Sequence, residues 1–536
     1  MSLFTPIPSV GNHNPIDFPE RYYVLAAVAF TGLYFGLSYL SEGYFQDDEV
    51  GHFVTAYEFW KDPFSIFTYW SRPGFKILYV IPALFGIKGV HLIASLIAGG
   101  TAYLASLLAK EYGVQNRILA LVLCGFQPLF YQISFRTYAE IAGAFLLVLM
   151  LVFYNRKQFV FSAIVSSYLF SVRQELVILS LLLGVAFLWR REWLAFVWLG
   201  WTPVLLHMIG WFNTGDPLWV VNTYLGGGEN SGFSKPGFFQ YVVMATPIFG
   251  TTVVALLLVG LFGMFFQPKQ HWKTHLEKYH ALYVSLFAVL LMNSILASET
   301  LNISSGQGIW RHILTVSPVV AVLATMGFNI ARSSDSRQRF GAMLLMGSYA
   351  LAVFLFFSYE HNYYRYTTEA NYIGFLVALG LIYTLLVAHT LEFNTATVVL
   401  FTVALTAMHT VSAEKPLKLS AEGKTLRDVV AYYEENGFHN RVTSSNHIMF
   451  YYFARIKDRN APQYPRTTLQ SIQHLSPGAI VIWDSHYSYR PVWGHDAHLD
   501  SLMSDRTLKP LRSFLSSDKW FSVIVFEKTD SSPAEH

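Results

Sequence analysis

Long runs of apolar residues recur through the first three quarters of this 536-residue chain, and no other feature limits its fold as strongly. A helix needs about 20 consecutive apolar residues to cross the hydrocarbon core of a bilayer. Only 13% of the residues are charged, whereas soluble domains average about 25%. The pattern predicts a mainly α, polytopic transmembrane bundle of about 11–13 helices, since several runs are short for a span. The runs lie at residues 22–41, 89–109, 117–131, 135–154, 158–172, 175–189, 193–212, 240–266, 280–297, 310–330, 341–358, 371–390 and 395–411.

Basic residues are concentrated in alternate connections between these runs. Cytoplasmic connections of membrane proteins are enriched in Lys and Arg. The alternation predicts a cytoplasmic N-terminus, and it places residues 42–88 and the C-terminal part of the chain on the non-cytoplasmic side. The residues that set this orientation are Lys110, Arg117, Arg156, Lys157, Arg190, Arg191, Lys269, Lys273, Lys278, Arg332, Arg337 and Arg339.

The composition changes near residue 412, where charged residues return. Helical and strand patterns then alternate, which is typical of a small α/β domain. We therefore expect a membrane domain over residues 1–411 and a soluble domain over 412–536. The expected helices are 424–436, 446–455 and 497–514, and the expected strands are 441–445, 479–483 and 521–527.

The first long connection opens with three consecutive acids, Asp47, Asp48 and Glu49. Apolar residues then recur at helical spacing up to Trp60, which predicts an amphipathic helix able to lie in the membrane interface. A carboxylate at that depth can act as general base on a hydroxyl within hydrogen-bond reach. The alternative is that Asp48 is only the N-cap of the helix, although a cap needs one acid rather than three.

A second set of charged residues lies near the predicted outer ends of the helices. Ionisable groups at membrane depth are costly and usually face a cavity. This set of residues therefore predicts an outer-leaflet site for an anion such as a lipid phosphate, facing the three acids. The alternative is a set of local ion pairs, of which Arg136–Glu140, four residues apart on one helix, is the most obvious. The members are Arg136, Glu140, Arg173, Glu175, Arg311 and His312.

Five short segments resemble the GT-C superfamily of polyprenyl-phosphate-sugar-dependent glycosyltransferases. That superfamily includes protein O-mannosyltransferases, the lipid A aminoarabinose transferase and the mannosyltransferases of lipid-linked oligosaccharide and GPI synthesis. The resemblance covers residues 20–410 and the placement of a C-terminal outer domain. The segments are FQDDEVGHF, WSRPGFKILYVIPALFG, FRTYAEI, SVRQE and RHILTVSP.

The resemblance implies an inverting transfer of a sugar, mannose or another hexose or pentose, from a polyprenyl-phosphate carrier. The acceptor would be a hydroxyl of a lipid, a glycan or a protein, on the outer face of a bacterial inner membrane. Asp48 would be the base, because Asp48-Glu49 is most similar to the family's acidic dipeptide. Asp47 is the alternative base, and Glu49 would have a supporting role.

The resemblance also implies that Arg173, Arg311 and His312 hold the phosphate that leaves. This reaction requires no cofactor, although the acids could hold a divalent cation, so the metal requirement is open. The formal net charge of +3 is too small to indicate nucleic acid as a partner. A transporter or lipid flippase, or a ligase or polymerase of glycan chains, remains as an alternative class.

Overall fold

The computed structural model describes residues 15–68, 70–224, 237–298, 309–359 and 368–530, and most of them are helical. Among these residues, eight helices are long and apolar enough to cross a membrane. Three shorter apolar helices accompany them, at Ala139–Asn155, Phe159–Val172 and Thr251–Phe266. The protein is an integral membrane protein with a helix-bundle fold.

The helices follow one another with few intervening strands. In chain order they are α1 Glu20–Leu40, α2 Asp48–Glu58, α3 Pro73–Lys76, α4 Gly86–Glu111, α5 Ile118–Gly125, α6 Pro128–Ile133, α7 Ala139–Asn155, α8 Phe159–Val172, α9 Val177–Arg190, α10 Trp193–Trp198, α11 Trp201–Thr214, α12 Trp219–Tyr224, α13 Gln240–Val243, α14 Ala245–Phe249, α15 Thr251–Phe262, α16 Gln270–Ala297, α17 Ser317–Ala331, α18 Ser336–Tyr359, α19 Thr368–Thr390, α20 Thr395–Ala413, α21 Ala421–Glu435, α22 Ile448–Phe453, α23 Leu469–Gln473 and α24 Leu499–Ser504.

Every predicted span contains at least one helix, but several spans are interrupted. Residues 117–131 are divided at Pro128, which begins α6 and has no N–H to continue the preceding helix. Residues 240–266 are divided at Gly250, whose φ of 85° is open to glycine but not to most other residues. These breaks divide two of the predicted runs into shorter helices.

Helix α17 lies at the centre of the bundle, where its residues from Ser317 to Phe328 are all buried. It packs closely on α15 through two glycines. A Cβ atom added at Gly260 would lie 2.0 Å from the carbonyl oxygen of Leu323, and one at Gly327 would lie 1.9 Å from that of Leu256. Small residues that allow backbones to approach are typical of helix packing in membranes.

All described strands follow α20, and four of them form one sheet in the order β1-β2-β6-β5. The pair β1–β2 is parallel, and the pairs β2–β6 and β6–β5 are antiparallel. A separate two-stranded sheet is formed by β3 and β4. The strands are β1 Thr443–Ser445, β2 Ile480–Asp484, β3 Tyr489–Arg490, β4 His495–Asp496, β5 Leu508–Leu515 and β6 Ser522–Lys528.

The predicted helix 497–514 is wrong, because only Leu499–Ser504 is helical and Leu508–Leu515 is an edge strand. Asp505 ends the helix, since its carboxylate accepts hydrogen bonds from the backbone N–H and the hydroxyl of Thr507. Pro510 lies beside an irregularity in the register of β5 with β6, a position that proline tolerates on an edge strand. Pairing with β6 therefore overrides the local helical pattern.

Helix α2 lies between the membrane bundle and the C-terminal region, residues 414–530. Val50 belongs to the same buried apolar cluster as Leu426 and Phe450 of that region. On another face, Ala56 belongs to a cluster with Phe75, which precedes α4. The helix is therefore covered by protein on both faces instead of resting on lipid, and residues 42–88 and the C-terminal region lie on the same side of the bundle.

Candidate active site

The three acids stand at the first turn of α2, and their side chains point in different directions. Asp47 is the N-cap, since its Oδ1 accepts from the backbone N–H of Asp48 at 3.1 Å. The alternative in which Asp48 caps the helix is therefore wrong. Successive residues of a helix are about 100° apart around its axis. Asp48 and Glu49 consequently enter separate groups of charged residues.

Glu49 is completely buried with two basic partners, and we call Glu49, His91 and Arg136 the Glu49 cluster. Its Oε2 lies 2.7 Å from Nη1 of Arg136 and accepts from the backbone N–H of Phe45 at 3.1 Å. Its Oε1 lies 3.3 Å from Nε2 of His91. Burial alone would raise the pKa of Glu49, but the Arg136 charge brings it below its usual value. Glu49 is thus an ionised group enclosed by protein.

Arg136 has a partner for each of its nitrogen atoms. Nε donates to the carbonyl of Gln132 at 3.1 Å, Nη1 to the carbonyl of Gly43 at 3.0 Å and to Glu49, and Nη2 to Oγ of Ser41 at 2.8 Å. The expected local pair with Glu140 is not formed. The prediction that Arg136 shares one cavity with the other cations is wrong, because its guanidinium is fully used in fixing residues 41–49.

Asp48 belongs to a different and more extended group. Its Oδ2 lies 2.8 Å from Nη2 of Arg311, whose Nε lies 3.3 Å from Oε1 of Glu140. The same Glu140 oxygen pairs with Arg173, which also pairs with Glu175. The four residues of this network beyond Asp48 are buried, whereas the side chain of Asp48 is 34% exposed. The structure therefore brings together one accessible carboxylate and a buried ionic network.

His312 also faces this network, with Nε2 3.8 Å from Oε1 of Glu140. Arg311 and His312 begin the 3₁₀ segment Trp310–Val316 that leads into α17, so the buried central helix fixes their position. Arg173 follows the last residue of α8, and Glu140 lies in the first turn of α7. Three separate helix ends thus converge at one level of the bundle.

Arg72, which the sequence analysis did not assign to the site, lies beside this network. Burial first, and then the nearby Arg173 charge, lowers the pKa of its guanidinium. Among the described residues, its Nε is buried without a hydrogen-bond partner, and so is Nη1 of Arg311. We call Asp48, Arg72, Glu140, Arg173 and Arg311 the Asp48 cluster. Unlike the Glu49 cluster, it retains guanidinium donors that are available to an anion.

The backbone of Arg72 is also unusual. With φ 56° and ψ 84° it is in the left-handed region, directly before Pro73. A non-glycine residue in such a region costs about 1–3 kcal/mol, and these conformations concentrate at ligand-binding sites. The Arg-Pro pair in WSRPG was the sequence signal for this residue, but nothing in the pattern indicated which way the side chain points.

A buried lysine close to Arg72 was also missed. Lys76 is fully buried and donates to Nδ1 of His52, with Nζ 4.7 Å from the ring centre of Trp70. Burial first, and then the Lys76 charge, holds the pKa of His52 well below its usual value, so the imidazole is a neutral acceptor. His52 lies one turn after Asp48 on α2, and its lysine partner therefore borders the Asp48 cluster.

The C-terminal region contacts residues 41–62, which we call the acidic segment, through three polar side chains. The hydroxyl of Tyr487 donates to Oδ2 of Asp47. Arg459 holds both carboxylate oxygens of Glu58, at 2.8 and 3.2 Å, and Asp458 lies 2.8 Å from Lys61. No feature of the sequence links these positions, which are about four hundred residues apart.

No protein-family model matches the chain, and no curated protein matches it. The chain is a membrane helix bundle followed by an α/β region, and its fold is of the GT-C type. Among solved structures, the chain is similar to ArnT from Cupriavidus metallidurans bound to undecaprenyl phosphate, with a TM-score of 0.57 and 12% identity over 95% of this chain and 98% of that one. The apo state of the same protein matches with a TM-score of 0.59, the same identity and the same coverage.

Proposed function

We propose that this protein is an integral membrane glycosyltransferase that moves a sugar from a polyprenyl-phosphate carrier to an acceptor hydroxyl. The observation that carries the proposal is the partly exposed Asp48 carboxylate, held 2.8 Å from Arg311 in a network with buried guanidinium groups. A base beside an anion site is what transfer from a phosphate leaving group requires. The likeness to ArnT, which was solved with undecaprenyl phosphate, supports a lipid of that class as the carrier.

In the proposed chemical step, Asp48 acts as the general base. Asp48 Oδ1 has no hydrogen-bond partner among the described residues, so it can accept the proton of the acceptor hydroxyl. The hydroxyl oxygen then attacks the anomeric carbon from the face opposite the phosphate. The bond from that carbon to the phosphate oxygen breaks, and the configuration at the carbon inverts. The polyprenyl phosphate leaves with the electron pair.

The charge of the leaving phosphate is stabilised by guanidinium donors that the protein does not satisfy internally. Arg311 offers Nη1 and Arg72 offers Nε, both buried and without a hydrogen-bond partner in the part of the chain that the structure describes. Arg173 is held by Glu140 and Glu175, so we assign it, together with these acids and His312, to positioning Arg311 and Arg72. Hydrogen bonds to a charged group contribute about 1.5–3 kcal/mol each when water is excluded.

The finer identities follow from the resemblance of the motifs. We propose a hexose or pentose as the sugar, mannose among them, and a lipid, glycan or protein hydroxyl as the acceptor. The side is proposed to be non-cytoplasmic, because the basic connections lie at the other end of the helices. The proposed steps use protein groups alone, although the first-turn acids could also hold a divalent cation.

The assignment of the base is tested by three substitutions in the acidic segment. Purified Asp48→Asn, Asp47→Asn and Glu49→Gln proteins are assayed for transfer from labelled polyprenyl-phosphate sugars. A general base contributes about 10²–10⁴-fold, so Asp48→Asn loses that much activity while its melting temperature and lipid binding stay close to wild type. Asp47→Asn is expected to retain most activity.

The outcomes distinguish an error in the choice of the base from an error in the proposed mechanism. Full activity in the Asp48→Asn protein rejects Asp48 as the base, and a loss confined to Asp47→Asn transfers the role to Asp47. Full activity in all three variants rejects the proposed mechanism. If no polyprenyl-phosphate sugar is consumed by the wild-type protein, the glycosyltransferase class itself is wrong, and lipid transport assays become the next test.

A further inference from the structure

Three metal-ligating side chains meet in the C-terminal region, away from the Asp48 cluster. Oε1 of Glu422 lies 2.8 Å from Nε2 of His447 and 2.7 Å from Nδ1 of His486. The three donor atoms all lie within 4.8 Å of one another. Two imidazoles and one carboxylate are a ligand set of zinc sites that keep a water in the fourth position.

The fold explains why these residues meet. Strands β1 and β2 are parallel neighbours, ending at Ser445 and Asp484. His447 follows the end of β1 by two residues, and His486 follows the end of β2 by two residues. Carboxyl ends of parallel strands share one edge of a sheet, which is where α/β folds commonly bind ligands. Glu422, in the first turn of α21, reaches the same edge.

Each histidine is held in place by its surroundings. His447 is buried, and His486 stacks on Tyr487 with ring centres 4.2 Å apart. The buried carboxylate of Asp484 accepts from the backbone N–H groups of His486 and Tyr487, at 3.0 and 2.6 Å, and so fixes their loop. Support of this kind behind the ligands is a regular feature of metal sites.

We propose that Glu422, His447 and His486 bind one Zn²⁺ or a similar first-row divalent cation, with water as the fourth ligand. The donor atoms of two ligands in a tetrahedral zinc site are about 3.3 Å apart, so Oε1 of Glu422 must move away from the two imidazole nitrogens by about 0.5 Å. Glu422 is 31% exposed at its side chain and has room for that movement. Imidazole and carboxylate favour zinc, whereas Mg²⁺ prefers oxygen ligands alone.

The cation changes the hydrogen bonding of both histidine ligands. Nδ1 of His447 accepts from the backbone N–H of Met449 at 3.2 Å, so Nε2 carries the ring proton in the hydrogen-bonded arrangement. Binding of zinc at Nε2 moves this proton to Nδ1, which can then no longer accept the hydrogen bond from Met449. Nδ1 of His486 carries the ring proton when it donates to Glu422, and zinc at Nδ1 moves this proton to Nε2, which is directed away from Glu422. The proposed site therefore competes with a metal-free triad in which Glu422 accepts from both rings.

The site also has a structural consequence for the acidic segment. Tyr487 stacks on His486, packs edge-on against His447 with centres 5.0 Å apart, and donates its hydroxyl to Asp47. A cation that fixes both imidazoles consequently fixes the tyrosine that holds Asp47. The metal acts on the docking of the C-terminal region, and the proposal is independent of the reaction assigned to Asp48.

The test is a measurement of bound metal in the full-length protein, purified in detergent without a polyhistidine tag. Protein stripped with a chelator is titrated with Zn²⁺, and its metal content and melting temperature are recorded. We expect about one zinc per chain, a higher melting temperature with zinc, and no effect of Mg²⁺. The His486→Gln and Glu422→Gln variants should bind zinc at least about a hundredfold more weakly.

The matched control is His474→Gln, which changes an exposed histidine of the same region outside the cluster. It should bind zinc as the wild type does. His486 is partly exposed, so its variant is expected to fold, whereas His447 is buried and caps α22. Absence of stoichiometric zinc in the wild type, or equal binding by His486→Gln and the wild type, would overturn the proposal and leave the hydrogen-bonded triad.

Discussion

The Glu49 cluster and the Asp48 cluster begin at neighbouring residues of one helix and differ in the accessibility of their carboxylates and in the partners of their arginines. In the Glu49 cluster every nitrogen of Arg136 has a protein partner and the carboxylate is inaccessible. In the Asp48 cluster the carboxylate is accessible, and Arg311 and Arg72 each retain a donor that no described residue satisfies. The comparison indicates that one cluster holds the acidic segment in place, whereas the other keeps charged groups within reach of a ligand.

The largest expected effect on stability comes from opening the Glu49 cluster. Arg136→Leu leaves Glu49 buried without its cation, which costs about 3–5 kcal/mol. Thermal unfolding in detergent should therefore show a marked loss of stability. Replacing both residues, as Glu49→Leu with Arg136→Leu, should recover part of the loss, because no charge is then left buried and unpaired. If Arg136→Leu lowers the stability only slightly, the distinction between the two clusters is wrong.

A smaller effect, on ligand binding and not on stability, is expected in the Asp48 cluster. Arg72→Gln removes a guanidinium assigned to the phosphate and should cost about 1.5–3 kcal/mol of undecaprenyl phosphate affinity, or roughly 10–150-fold. Binding to the purified protein is the measurement. The control is Lys61→Gln, an exposed cation of the same connection that pairs with Asp458. Equal affinities of the two variants would exclude Arg72 from the phosphate site.

The backbone of Arg72 gives a further way to sharpen this result. Arg72→Gly loses the same guanidinium but accepts the left-handed conformation without strain. It should match Arg72→Gln in weak lipid binding and exceed it in melting temperature by an amount equivalent to about 1 kcal/mol or more. If the glycine variant is the less stable of the two, the conformation carries no strain.

The smallest expected effect concerns Asp47, which belongs to neither cluster. Tyr487→Phe removes the hydrogen bond to its carboxylate and should cost about 0.5–1.5 kcal/mol of stability. Transfer activity should change only a few-fold, because Asp48 and its partners are untouched. A loss as large as that of Asp48→Asn would show that Asp47 is the carboxylate that reacts.

The sequence predicted the membrane spans well, because apolar runs depend on local composition alone. It also identified the three acids and most of the cations near them. It could not predict their pairing, since Arg136 and Glu140 have the spacing of a helix pair and yet bind Glu49 and Arg173 instead. Such choices depend on which helix ends meet in three dimensions.

Two other features escaped the sequence for similar reasons. Arg72 and Lys76 lie in a long connection where charged residues usually face water, so the burial of Lys76 and of Nε of Arg72 was not expected. The strand Leu508–Leu515 has a helical pattern, and only its pairing with β6 reveals its structure. In each case the structure of the residue depends on contacts with parts of the chain that are distant in sequence or belong to a neighbouring strand or helix.

The position of α2 between the bundle and the C-terminal region has a consequence for engineering. Val50, Glu58 and Lys61 all take partners from beyond residue 414. The acidic segment and the C-terminal region are thus one packing unit, although they lie far apart in the sequence. A chimera that exchanges the C-terminal region between related proteins would have to exchange residues 41–62 with it, because either piece alone would meet a foreign surface.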